Sequence, residues 1–127
     1  MRKTPMNKKM TGTLANLAGQ NAELQVAADY QRRGHRLCAN RWRGKAGEVD
    51  LIFHDGAEIV FVEVKKARSF SDAARRISSR QQQRICLAAQ EYLGTQPLGL
   101  DTPMRVDAAL VNCHGEVRIL ENAICAL

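Results

Sequence analysis

No apolar stretch in the sequence approaches the roughly 18 residues that a membrane-spanning helix needs, and the basic N-terminus is not followed by the apolar core of a secretion signal. The chain is therefore expected to be cytoplasmic, with no membrane partner. The four cysteines, Cys38, Cys86, Cys113 and Cys125, include no C-x-x-C pair. Close zinc-ligand spacing is absent, and in a reducing compartment these residues are expected to be unpaired, buried small hydrophobes. There is no internal repeat or low-complexity tract. At 127 residues the chain is too short for two domains that each bury a core. Hydrophobic residues at 45% and charged residues at 25% argue against disorder, a collagen-like repeat or a disulfide miniprotein.

Acidic residues are missing from particular places, and that absence gives the charge its pattern. The formal net charge is +6. Residues 1–9 hold Arg2, Lys3, Lys8 and Lys9 with no acid, so only 15 basic against 13 acidic residues remain for everything after. Arg32, Arg33, Arg36, Arg41, Arg43 and Lys45 form an acid-free stretch. Lys65 to Arg84 carries seven basic residues, with Asp72 the lone acid. From Ile85 onward the balance reverses, with Arg105 and Arg118 against Glu91, Asp101, Asp107, Glu116 and Glu121. Segregation of this kind fits a polyanionic partner such as nucleic acid better than uniform basicity would.

Residues 1–11 are polar, basic and broken by Pro5, which predicts a flexible arm ahead of one domain over 12–127. Leu14, Ala18, Ala22, Val26 and Tyr30 recur at the spacing of one helix face, ended by Gly34. A strand is expected over His35–Arg43. Two β-branched and aromatic runs, Glu48–His54 and Glu58–Lys66, flank Asp55-Gly56, a dipeptide suited to a two-residue hairpin turn. A long second helix is expected from a cap at Ser71 or Asp72 to about Leu93. Its stripe holds Ile77, Gln81, Ile85, Ala88, Ala89 and Tyr92. Strands at Met104–Asn112 and Glu116–Leu120 close the domain, and the apolar end of the chain packs back. The order α-β-β-β-α-β-β implies an α/β fold with a mixed five-stranded sheet flanked by helices.

Chemistry is suggested by charges on faces that ought to be apolar. Strand side chains alternate, so Val60, Val62 and Val64 point one way and Ile59, Phe61, Glu63 and Lys65 the other. A turn at Asp55-Gly56 sets Asp50 opposite Phe61 and Glu48 opposite Glu63, so that Asp50, Glu63 and Lys65 share a face. A three-residue turn would point Asp50 away. Two carboxylates and a lysine among Ile52, Ile59 and Phe61 are costly as a structural device. A bound Mg²⁺ or Mn²⁺ would relieve both the repulsion and the burial. Glu23 lies on the packed face of the first helix, either as a third metal-site carboxylate or as a boundary acid paired with an arginine. Gln81 sits inside the apolar stripe of the second helix, either contacting a phosphate or bonded to backbone. Arg41 and Arg43 flank Trp42, which is suited to base stacking or to a place at the core edge. Lys45, Lys66, Arg68, Arg80 and Arg84 complete the basic middle of the chain and could follow a phosphate backbone.

GQNAE at 19–23, NRWRGKAGEVDLI at 40–52, VFVEVKKARS at 60–69, RICLAAQEYL at 84–93 and RVD at 105–107 closely resemble the bacterial YraN-like family of endonucleases. That family is placed in the PD-(D/E)XK nuclease superfamily, near archaeal Holliday-junction resolvases. The resemblance implies a restriction-endonuclease-like core and a Mg²⁺- or Mn²⁺-dependent endonuclease acting on DNA, with branched or junction DNA as a candidate substrate and a homodimer as the assembly. It maps Asp50 to the motif aspartate, Glu63 and Lys65 to the E-x-K pair, and Glu23 to the glutamate of the first helix. The family usually has lysine where Gln81 stands and often glycine where Ser71 stands. A glutamine can bond a phosphate oxygen but cannot neutralise it. The rival expectation is a non-catalytic nucleic-acid-binding module, or an adaptor that docks a DNA-processing complex through the acidic C-terminal third.

Overall fold

The structure, a computed structural model, describes residues 14–125, with side chains from residue 21 onward. The expected basic arm at 1–11 lies outside the described residues. The elements follow the expected order: α1 (Leu14–Arg32), β1 (Arg36–Arg43), β2 (Glu48–Asp55), β3 (Glu58–Lys66), α2 (Phe70–Arg75), α3 (Ser79–Leu93), a 3₁₀ turn at Gly99–Asp101, β4 (Met104–Val111) and β5 (Val117–Ile124). The five strands form one mixed sheet in the order β1-β2-β3-β4-β5. Only β3 and β4 run parallel, and the α2–α3 segment supplies the crossover that a parallel pair requires.

Helices cover both faces of this sheet. Ala22, Val26 and Tyr30 of α1 pack on Leu51, Phe53, Val60, Val62, Ala109 and Val111. Ile85, Ala88, Ala89 and Leu93 of α3 pack on the alternate residues Ile52, Ile59, Phe61, Val106 and Ala108. The central strands β3 and β4 are thus buried on both sides, which explains their nearly continuous apolar runs.

Three local expectations are corrected. The hairpin loop is Gly56-Ala57, with Asp55 paired to Glu58 and Ile52 to Phe61. Gly56 takes the positive φ of +63° that the turn needs. Moving a two-residue turn along by one slides the register by two, so Asp50 comes level with Glu63 instead of Phe61. Faces are preserved as far as the ladder runs, to Leu51 and Val62, because the side-chain period is also two. The expected single second helix is broken at 76–78. Ser69 caps α2 by accepting the Asp72 N–H, and Ser78 caps α3 by accepting the Gln81 N–H, each at 3.1 Å. Neither Ser71 nor Asp72 is a cap. Cys86 of α3 and Cys125 beyond β5 are disulfide-bonded, with Cα atoms 5.8 Å apart, whereas unpaired thiols were expected. The last strand runs four residues past Leu120 and brings buried Ile124 under α3, which places the two cysteines together.

A polar network ties the first helix to the far strands. Asp107 is fully buried. It accepts the Tyr30 hydroxyl at 2.6 Å, Arg105 Nε at 3.0 Å and the Asn122 N–H at 2.8 Å. Burial, followed by the hydrogen bond to Asp107, raises the Tyr30 phenol above its ordinary value. With three donors the carboxylate is satisfied, and the group reads as a structural tie between α1, β4 and β5.

Candidate functional site

The ladder between β2 and β3 stops at Leu51 and Val62. One step further out, the Asp50 carboxylate takes over from the backbone and its Oδ2 accepts the Val64 N–H at 2.8 Å. Val49 and Ile52 both join the cluster under α3 although they are three residues apart, so strict alternation is interrupted at this point. The irregularity extends to β1, where Arg41 has a φ of +53°. The sheet opens here into a cleft of about 540 Å³. Glu23, Asp50, Glu63, Lys65 and Gln81 all line it, so the structure brings together the five residues singled out for chemistry.

Asp50 and Glu63 line the floor as a carboxyl pair, close enough for the charge of Asp50 to act on Glu63. Burial and the neighbouring Asp50 push Glu63 up to about 8, against the opposing pull of Lys65. Burial likewise raises Asp50, against the Val64 N–H. Lys65 Nζ lies 3.3 Å from Glu63 Oε2, and Gln81 Nε2 donates to the same oxygen at 2.8 Å. Gln81 is thus bonded to a carboxylate of the site, and its amide does not bond backbone. Among the described residues no set of three or more His, Cys, Asp or Glu side chains is arranged to hold a metal. Glu23 Oε1 pairs with Arg41 Nε at 3.2 Å, the boundary-acid arrangement. Burial, together with the charge on Asp50, still raises its carboxyl.

The oxygen donors of Asp50 and Glu63 fit a hard divalent cation, which takes one or two carboxylates and keeps several waters. Two buried acids held side by side are also the arrangement that such a cation relieves.

The basic residues divide. Lys66 and Arg84 line the cleft. Lys45 and Arg80 are exposed next to residues that line it. Arg41 is engaged by Glu23, and Arg43 approaches Glu48 at 3.6 Å. Arg68 is exposed past the end of β3 and is not part of the wall. Trp42 is half-buried, edge-on to Tyr92 with centroids 5.4 Å apart, at the core edge. The acidic C-terminal third is largely consumed internally: Asp107 in the buried network, Glu116 on Asn112, and Glu91 on the backbone of the β1–β2 loop. Sequence reasoning missed the part played by Glu91, because its partners lie 46 positions away. The capping residue Ser78 could have been found, since Ser78-x-x-Gln81 has the spacing of a helix-start signal.

The chain is thus a mixed α/β domain whose sheet opens onto a buried carboxyl pair, a lysine and a basic rim. The family described as "Uncharacterised protein family UPF0102" matches residues 22–111, and the chain belongs to that family. A UPF0102 protein of Ruegeria pomeroyi is 51% identical over 112 residues, covering 88% of this chain and 91% of its own. One from Cereibacter sphaeroides is 50% identical over 117 residues, covering 92% of this chain and 100% of its own. One from Dinoroseobacter shibae is 42% identical over 115 residues, covering 91% and 86% respectively. No helix among the described residues is long and apolar enough to cross a membrane.

Proposed function

We propose that this chain is a metal-dependent nuclease of the PD-(D/E)XK kind that hydrolyses phosphodiester bonds in DNA, with branched or junction DNA as its candidate substrate. One observation carries the reading. Asp50 and Glu63 reach a buried cleft floor from adjacent strands, with Lys65 at 3.3 Å from Glu63 and Lys66 and Arg84 on the walls. The hairpin β2–β3, the parallel neighbour β4 and a helix on each face also suit a restriction-endonuclease-like core.

In this reading Asp50 and Glu63 hold Mg²⁺ or Mn²⁺, and Glu23 joins them on release from Arg41. The cation, when bound, supplies polarisation of the phosphoryl group and a lowered pKa for an attacking water. Lys65 orients that water and stabilises charge developing on the phosphate. Gln81 holds Glu63 Oε2 in place, and Lys66 and Arg84 neutralise phosphates, with Lys45, Arg80, Arg43 and Arg68 further out. A homodimer in the cytoplasm completes the proposal.

A second reading, a nucleic-acid-binding module without catalysis, is favoured by one observation: of the four acids lining the cleft, Glu23 is engaged by Arg41 and Glu48 approaches Arg43, which leaves the Asp50–Glu63 pair. The adaptor reading is weakened by the internal partners of the C-terminal acids. Calorimetry with Mn²⁺ tests the choice. The nuclease reading expects one Mn²⁺ site in the wild type, lost in Glu63→Gln, with DNA binding retained in both. Salt-sensitive DNA binding without any Mn²⁺ site would establish the module instead.

A further inference from the structure

The short loop between β1 and β2, residues 44–47, is fastened to α3 by a single side chain. Glu91 accepts the Lys45 N–H with both carboxylate oxygens, at 2.9 and 3.1 Å, and the Ala46 N–H at 3.4 Å. The loop is closed on itself by the Gly44 N–H, which donates to the Gly47 carbonyl at 2.9 Å. Two successive amides turned toward one carboxylate form a small anion cradle, and Glu91 fills it from within the same molecule.

The neighbours of the loop leave it little freedom. A Cβ on Gly44 would collide with the Glu91 carboxylate and fall 2.7 Å from the Trp42 ring. Trp42 is itself packed edge-on to Tyr92, the residue after Glu91. Gly47 rests on Arg84, about two turns back along α3 from Glu91, where an added Cβ would stand 3.5 Å from the Arg84 Cβ. Ala46 and Gly47 thereby become a wall of the cleft, facing Gln81 and Arg84. The Glu91 charge is directed to backbone amides, and among the described residues the Lys45 ammonium has no acidic partner, so Lys45 stays exposed at the rim.

We propose that Glu91 is a positioning residue for the nucleic-acid strand. By gripping the Lys45 and Ala46 amides it fixes the cleft wall and the point from which Lys45 meets the sugar-phosphate backbone, without touching the cation or the proton chemistry at Asp50 and Glu63. This rests on the nuclease reading and extends it to the mouth of the site. Charge-assisted bonds to main-chain amides are strong and directional, and a displacement of about 1 Å in a positioning element is enough to be felt in binding and turnover.

The test compares the wild type with Glu91→Ala, Glu91→Gln and Gly44→Ala, each as the full chain. Amide exchange at Lys45 and Ala46 is read by NMR, affinity for a labelled branched DNA by anisotropy, and Mn²⁺ affinity by calorimetry. Glu91→Ala should deprotect both amides and raise the DNA Kd about tenfold, the scale of losing charge-assisted hydrogen bonds. Its Mn²⁺ affinity should match the wild type. Glu91→Gln, which keeps one acceptor oxygen, should fall between the two. Gly44→Ala should reproduce the loss with Glu91 still present. Deprotected amides with an unchanged Kd would overturn the proposal, as would a Mn²⁺ affinity that falls in step with DNA binding. A wild type with no affinity for DNA would overturn the nuclease reading itself, and this inference with it.

Discussion

Gln81 Nε2 donates to Glu63 Oε2 at 2.8 Å, joining the first turn of α3 to the central strand at the floor of the cleft. Gln81 is the third residue of that helix, and its N–H goes to the capping Ser78. In a capping box the side chain at this position reaches back to the cap's own amide. Here it is turned inward onto a carboxylate that Lys65 also approaches. The helix start and the site therefore share one residue, and the geometry of Glu63 depends on where α3 begins.

Gln81→Lys places a cation where an amide now sits. A second positive group beside the cleft adds about one counterion-releasing phosphate contact, so the salt dependence of log Kd should steepen by about one. DNA titrations by anisotropy across a salt series check this. An unchanged slope would show that residue 81 faces only Glu63 in the complex.

The raised Glu63 carboxyl gives a stability signature in chelator. A carboxyl whose folded pKa lies above its unfolded value favours folding while it is protonated. That contribution is fully present below the unfolded value of 4.5 and is lost as pH rises through about 8. The thermal midpoint of the metal-free protein should therefore fall as pH rises from ~4.5 to ~8. Glu63→Gln, neutral throughout, should fall less over the same window, and scanning calorimetry of both proteins reads the difference. Equal slopes would mean that Glu63 is ionised in the fold without a cation.

The buried tie at Asp107 should be costly to cut. Tyr30→Phe removes one of its donors and should destabilise the fold by about 1–3 kcal/mol. Asp107→Ala leaves the Tyr30 hydroxyl and the Asn122 N–H without their acceptor, while Arg105 keeps Glu58 at 3.2 Å, and should cost about 2–5 kcal/mol. Urea unfolding measures both. Losses confined to a few tenths of a kcal/mol for both variants would contradict the structural role.

The convergence of Asp50, Glu63 and Lys65 on one cleft was legible in the sequence although the turn was displaced by one residue, because a two-residue turn slides the register by two and preserves phase along the ladder up to Leu51 and Val62. The mixed sheet flanked by helices was legible from the order of the elements, and the burial of β3 and β4 on both sides fits their short apolar runs Ile59–Val62 and Ala108–Val111. The break in the second helix was not, because Ile77 continues the apolar stripe across it, and the two capping serines stood among other polar residues. The extension of β5 was hidden for a similar reason: Glu121, Asn122 and Ala123 are exposed, and Asn122 adopts a φ of +52° at an irregularity that no hydrophobic period marks. Glu23 was legible as a packed acid, but its pairing with Arg41 depends on an unusual backbone conformation in a neighbouring strand. The hold of Glu91 on the β1–β2 loop needs the tertiary fold to be seen at all.

We propose the Asp50–Glu63 pair with Lys65 as a phosphodiester-hydrolysing centre. The most direct measurement is cleavage of end-labelled branched, duplex and single-stranded DNA by the wild type, Asp50→Asn, Glu63→Gln and Lys65→Ala, with Mn²⁺ or Mg²⁺ and with chelator. Cation-dependent product is expected from the wild type, with a loss of at least about a hundredfold in each variant, the scale of removing a general acid-base or charge-stabilising group, while each variant keeps its fold and its DNA affinity. Wild-type product no greater than that of Glu63→Gln on every substrate, with DNA still bound, would contradict it.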